Sequence, residues 1–213
     1  MTKPMRILLV DDHAVVRAGF KTLLENQGDM SVIAEAESGE AACRQFIAHT
    51  PDVVIMDLSM PGVGGIEAIR RIVSRQSAAR VLVFSMHEDT LFVEQALQAG
   101  ARGYIGKSSA PVVLVEAVRQ IASGNIYIDP DIAQRLALQK TKGTDSPFQA
   151  LTTREFEIVC LLAEGLSVNA IANRLALSYK TVANYATQIK SKMEVSTTSE
   201  LTRLAIRHGL VKA

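Results

Sequence analysis

Between residues 6 and 123 the chain alternates short apolar runs with longer stretches whose apolar residues recur every three or four positions. The runs at 6–10, 31–36, 52–56, 80–85 and 103–106 have the length and aliphatic content of buried strands. Between and after them the spacing predicts helices near 14–26, 39–49, 65–75, 89–99 and 110–122. Helix punctuation agrees: Ser38 with Glu40 opens one helix, Gly28 and Gly100 follow helix ends, and Gly64-Gly65 precedes another. Five successive βα units predict a parallel sheet covered on both faces. Right-handed crossovers then bring the carboxyl ends of the strands to one edge.

The pattern changes after Ser123-Gly124. A short apolar stretch, Ile126-Tyr127-Ile128, leads through Asp129-Pro130 into a helical pattern over 132–138. Residues 139–149 are rich in Lys, Thr, Gly, Ser and Pro, the composition of a linker. From Leu151 onward everything reads as helix. Thr152-x-x-Glu155 and Thr197-x-x-Glu200 are capping boxes, and Ser167 and Ser178 open two helices between them. Two short helices joined at Ala176-Leu177-Ser178, the second longer and polar outside, predict a helix-turn-helix. The expected domains are thus 1–124, a linker with a short helix over 125–149, and an all-α domain of four helices over 150–213.

A hydrophobic content of 48% suits a globular protein. The net charge of +1 says little, but residues 1–130 carry −3 and residues 151–213 carry +3. A basic tail of this kind fits a nucleic-acid partner. Cys43 and Cys160 have neither metal-ligand nor disulfide-framework spacing, and read as buried thiols in a reducing compartment. No signal peptide and no run of apolar residues long enough to span a bilayer is visible, so a cytoplasmic location without membrane contact is expected.

Candidate chemistry collects at the predicted strand ends. Asp57 ends Val53-Val54-Ile55-Met56, Asp11-Asp12 closes an earlier strand, Ser85 a later one, and Lys107 follows Tyr104-Ile105-Gly106. Clustered carboxylates suit a hard divalent cation such as Mg²⁺. A carboxylate beside such a cation can attack a phosphoryl group, while a lysine and a hydroxyl hold the phosphoryl oxygens. In order and spacing, Asp11-Asp12, Asp57, Ser85, Tyr104 and Lys107 resemble the receiver domain of bacterial two-component response regulators. The resemblance implies a flavodoxin-like, doubly wound five-stranded sheet of order 2-1-3-4-5. It also implies that Asp57 accepts a phosphoryl group from a sensor histidine kinase. Asp12, Asp57 and the Ser59 carbonyl would then hold Mg²⁺, with Asp11 in its outer shell. Lys107 and Ser85 would assist, and Ser85 and Tyr104 would form a switch pair. Two positions depart from the commoner pattern. Ser108 replaces the proline after the lysine, and Met86-His87 follows Ser85, with Met86 expected to narrow access and His87 to be a loop residue. His13 and His49 read as helix-end residues.

The segment from Leu151 resembles the LuxR-type helix-turn-helix, which places the chain with the NarL/FixJ group of response regulators. The resemblance implies that the third helix enters the major groove of promoter DNA. Ser178, Lys180, Thr181, Asn184, Tyr185, Thr187, Gln188, Lys190 and Lys192 are the expected contacts, with Asn and Gln suited to adenine. It further implies a homodimer on phosphorylation, with Leu201, Leu204, Ala205 and His208 as its seam. Ala183, Tyr185 and Thr187 stand where basic residues or histidine are usual in this family, so a second reading is a phosphorylation-regulated interaction protein that needs a partner for DNA reading. A phosphohydrolase would share the aspartyl nucleophile but requires an acid two residues on, where Ser59 stands; the chain is expected not to be an enzyme.

Overall fold

The computed structural model describes residues 3–109, 111–141 and 146–211. They fall into two compact units, residues 1–136 and 137–213, each with its own apolar core. In the first, β1 (Met5–Val10), β2 (Met30–Ala36), β3 (Val53–Met56), β4 (Val81–Ser85), β5 (Gly103–Gly106) and β6 (Tyr127–Ile128) form one sheet. Its order is β2-β1-β3-β4-β5-β6, and every pairing is parallel. Five strands lie where the apolar runs predict them. The sixth corrects the five-strand expectation: β6 pairs Gly103 with Tyr127 and Tyr104 with Ile128. Backbone bonds from Tyr127 N to Arg102 O (3.1 Å) and Asp129 N to Tyr104 O (2.9 Å) fasten it.

The crossovers are α1 (Ala14–Glu25), α2 (Gly39–His49), α3 (Gly65–Arg75) and α4 (Thr90–Gln98), with α5 (Pro111–Ala122) after β5. Alternation along the strands decides which side chain meets which helix. Ile7, Leu9, Val53, Ile55, Leu82, Phe84 and Ile105 share one cluster with Leu24 of α1 and Leu114, Val118 and Ile121 of α5. The residues between them, Leu8, Val54, Met56 and Val83, are equally buried, so both faces are covered. After β6, α6 (Pro130–Thr141) outruns the 132–138 pattern into the expected linker. The boundary between the two units falls inside it, and linker residues 142–145 lie outside the described residues.

The second unit opens with a 3-10 turn at Pro147–Ala150, followed by α7 (Thr153–Ala163), α8 (Val168–Arg174), α9 (Tyr179–Lys192) and α10 (Thr198–Arg207). That makes ten α-helices among the described residues. Both capping boxes form as the sequence predicts, and Ser167 and Ser178 cap α8 and α9. Phe148, Phe156, Ile158, Val182 and Ile189 fill the core. No helix among the described residues is long and apolar enough to cross a membrane.

The tight turn between α8 and α9 puts Ala176 in the left-handed region, at φ 51°. A Cβ there costs about 1 kcal/mol, partly offset on replacement by the greater freedom glycine gives the unfolded chain. Ala176→Gly is therefore expected to stabilise the second unit by about 0.5 kcal/mol, read as a raised urea midpoint; an unchanged or lowered midpoint contradicts the strain.

Candidate functional site

The strand ends converge because neighbouring strands stop in register. Asp57 N donates to Val10 O at 2.9 Å, and Lys107 N donates to Ser85 O at 2.8 Å. Asp57 and Asp11 are both 3% exposed, so their carboxylates sit at the floor of this edge. Asp57 Oδ1 accepts the backbone N–H of Leu58 (2.7 Å) and of Ser59 (3.3 Å), which aims the carboxylate back over its own loop. Lys107 Nζ donates to Asp57 Oδ2 at 2.8 Å and to Asp11 Oδ2. Burial opposes the charge on Lys107, but its bonds to Asp11 and Asp57 outweigh that and raise its pKa.

Carboxylate oxygens of Asp11, Asp12 and Asp57 and a His13 ring nitrogen all lie within 4.8 Å of one another. Asp12 Oδ1 is covered yet makes no hydrogen bond; His13 Nδ1 lies 2.8 Å away without hydrogen-bond geometry. Three hard oxygen donors, one of them buried and unsatisfied, fit a hard divalent cation. His13 is the residue before α1, as a helix-end residue should be, but it also donates its backbone N–H to Asp11 Oδ1. Sequence reading passed over that second role.

Ser85 is fully buried, and its Oγ accepts from His87 N at 3.2 Å. Tyr104 is also fully buried, with its ring inward and its hydroxyl donating to the His87 carbonyl. Burial pushes the Tyr104 phenol strongly up, against the Ser85 hydroxyl, and the Asp57 charge adds to the rise. His87 itself stacks on Phe92 (centroids 4.1 Å apart) and places Nε2 2.9 Å from Ser59 Oγ. It thus links the loops after β3 and β4, which nothing in its sequence position revealed. Met86 points outward, 71% exposed. Gly65 makes this crowding possible: a Cβ there would lie 2.1 Å from the Asp57 carbonyl oxygen.

In the second unit, Ser178, Lys180, Asn184, Thr187, Gln188 and Lys192 are exposed, and Thr181, Tyr185 and Lys190 partly so. Several of these polar groups already have local partners. Ser178 Oγ and Thr181 Oγ1 lie 2.8 Å apart in the cap of α9, and Thr187 Oγ1 donates to Ala183 O. Lys192 Nζ donates to Glu155 Oε2 at 2.7 Å. Lys180, Asn184 and Gln188, at helical spacing, have no side-chain hydrogen bond among the described residues. Tyr179, 58% exposed beside them, was not singled out by the sequence. On α10, Leu201 and Ala205 are buried inside the unit at 1% and 0% exposure, against α7. Leu204 and His208, both half-buried, flank that inward face, with His208 edge-on to Phe148, and Ile206 stands exposed on the opposite side.

Residues 7–119 match the response regulator receiver domain, and residues 149–205 match the bacterial regulatory proteins of the luxR family. The chain belongs to the two-component response regulators of the NarL/FixJ group. Among its relatives, the response regulator UvrY of Escherichia coli K12 is 42% identical over 211 residues, 98% of this chain and 97% of that protein. A solved LuxR-family response regulator from Aurantimonas is 45% identical, covering 65% of this chain and 99% of that one, with a TM-score of 0.63. RcsB from Salmonella enterica serovar Typhimurium, solved on the rprA promoter with the phosphomimetic BeF3⁻, is 26% identical, covering 95% of this chain and 98% of that one, with a TM-score of 0.70. This response regulator acts in a two-component system as a transcription factor.

Glu155 gives the second unit a pH signature. Burial opposes its charge, but Lys192 and the Thr152 donors prevail and hold its carboxyl below the usual range. A depressed folded pKa gives stability that is complete above the unfolded value and lost as pH falls through the folded one. Glu200, lowered by the Ser196 and Thr197 backbone, titrates in the same sense. The urea midpoint of the second unit is expected to fall from about pH 5 towards pH 3, and Glu155→Gln to be weaker at neutral pH with a shallower acid loss. Equal slopes in the two proteins would rule out this assignment.

Proposed function

We propose that Asp57 is the phosphoacceptor, that a sensor histidine kinase is the donor, and that the resulting acyl phosphate gates DNA binding by the second unit. The observation that carries this reading is the Lys107 ammonium bridging Asp57 and Asp11 at the strand ends. An Asp57 oxygen forms the new P–O bond as the donor P–N bond breaks. Lys107 then passes from Asp57 Oδ2 to a phosphoryl oxygen, and the Ser85 hydroxyl donates to another. Asp11, Asp12, Asp57 and the Ser59 carbonyl would hold Mg²⁺, which when bound neutralises charge on the phosphoryl oxygens. Ser85 and Tyr104 are the switch pair; the inward ring with its bond to His87 O is the arrangement that phosphorylation favours.

The working division is a receiver over 1–124, a connecting segment over 125–149 and a DNA-binding domain over 150–213, in a cytoplasmic protein. Asn184, Thr187 and Gln188 on α9 read base edges in the major groove of promoter DNA, while Lys180, Lys190 and Lys192 approach its phosphates and Ser178, Thr181 and Tyr185 lie alongside. Phosphorylation favours a homodimer through α10, with Leu204 and His208 as the part of the seam that the unit's own core leaves partly accessible. With Lys192 shared with Glu155, the cationic footprint is small and the salt dependence shallow, about one unit of log slope per phosphate contact.

Selection of sites from random DNA by the full-length protein tests the reading, with and without beryllofluoride and with Asp57→Asn as control. A palindromic motif enriched only with beryllofluoride, and lost in Asp57→Asn, is expected. No enrichment in any arm, despite bound beryllofluoride, would transfer DNA reading to a partner protein.

A further inference from the structure

The loop after β4 does more than carry the carbonyl that Tyr104 holds. Glu88, next to His87, turns its carboxylate back over the end of β5. Its Oε1 accepts from Ser108 Oγ, one residue after Lys107, and its Oε2 accepts from Arg135 Nη2 of α6 at 3.3 Å. Gly106 leaves the space for this: a Cβ there would stand 2.1 Å from Glu88 Oε1. A second tie runs parallel, with Ser109 Oγ donating to Asp129 Oδ2 at 2.9 Å just before α6 begins. A third passes through Tyr104, whose backbone carbonyl accepts from Asp129 N while its hydroxyl reaches His87 O. Between these ties lies a cavity of about 230 Å³, lined by Glu88, Ser109, Asp129, Ile132 and Arg135 among others. The loop thus has room to shift, and α6 is the helix by which the chain leaves the first unit.

We propose that Glu88 is a positioning residue that transmits the state of the Asp57 site to α6, through its paired hold on Ser108 and Arg135. This rests on the reading of Asp57 as phosphoacceptor. Displacement of Lys107 towards a phosphoryl group moves Ser108 with it, and a rearranged Ser85–His87 segment moves Glu88. Both ends of the Glu88 carboxylate then change together, and the first turns of α6 follow through Arg135.

Hydrogen exchange of the full-length protein, over peptides spanning 126–139, reads this directly, with and without Mg²⁺ and beryllofluoride. Fluorine NMR of the bound beryllofluoride provides the independent control. In the wild type the exchange rate of these peptides is expected to change about threefold on binding, the scale of one partly exposed ion pair. Glu88→Gln and Arg135→Met should remove that response while the bound-fluoride signal persists, and Arg135→Lys, which keeps the pair, should retain it. A bound-fluoride signal with no exchange response in the wild type, or an undiminished response in Glu88→Gln and Arg135→Met, overturns the proposal. Absence of the bound-fluoride signal in the wild type overturns the Asp57 reading beneath it, and the two failures are told apart by that signal.

Discussion

Carboxylates packed at the edge of a sheet repel one another, and the charge of Lys107 lets Asp11 and Asp57 share one. Two such groups about 5 Å apart repel by about 3 kcal/mol at an effective dielectric of 20. Both are nearly inaccessible to water, so solvent does little to soften the cost. The lysine reaches them because β4 and β5 end in register, with Lys107 N on Ser85 O. Sheet order, crossover handedness and the close seat of α3 at Gly65 all serve that convergence. The result is a site that stays net negative, three carboxylates against one lysine, with Asp12 Oδ1 covered and without a hydrogen bond. A net negative cluster of oxygen donors of this kind suits a hard divalent cation.

The same edge carries side chains that tie the site to the rest of the sheet. Tyr104 joins the loop after β4 to the added strand β6, because its hydroxyl and its carbonyl bond to different segments. One residue therefore connects the loop beside Ser85 with the edge of the sheet. The second unit is built differently: four capped helices around Phe148 and Phe156, with α9 presenting Lys180, Asn184 and Gln188 outward.

Much of this was legible in the sequence, for identifiable reasons. The run Val53-Val54-Ile55-Met56 ending in Asp57 marks a doubly covered strand, because a strand buried on both faces has no polar alternation. Residues over 39–49 and 65–75 show helix ends plainly, with Ser38 and Gly64 at the caps. β6 was missed because two residues carry no period, and its pairing depends on β5 lying alongside. His87 looked like a loop residue since its partner, Ser59, lies on another loop that only the fold brings near. Glu88 and Arg135 are unremarkable singly, and Ser108 stood out only as the residue in place of a proline; their meeting is visible only in the fold. On α10, helical spacing identified an apolar stripe but could not say which part packs inward, and Leu201 and Ala205 turn out to serve the unit's own core.

The central claim is that one carboxylate, Asp57, takes the phosphoryl group. The direct measurement is to incubate the protein with Mg²⁺ and a small phosphoryl donor such as acetyl phosphate, trap with borohydride, and map the peptides by mass spectrometry. Borohydride reduces an aspartyl phosphate to homoserine, so the account predicts homoserine at position 57 alone, dependent on Mg²⁺. Homoserine at another aspartate, or none under conditions where the folded protein binds Mg²⁺, would contradict it.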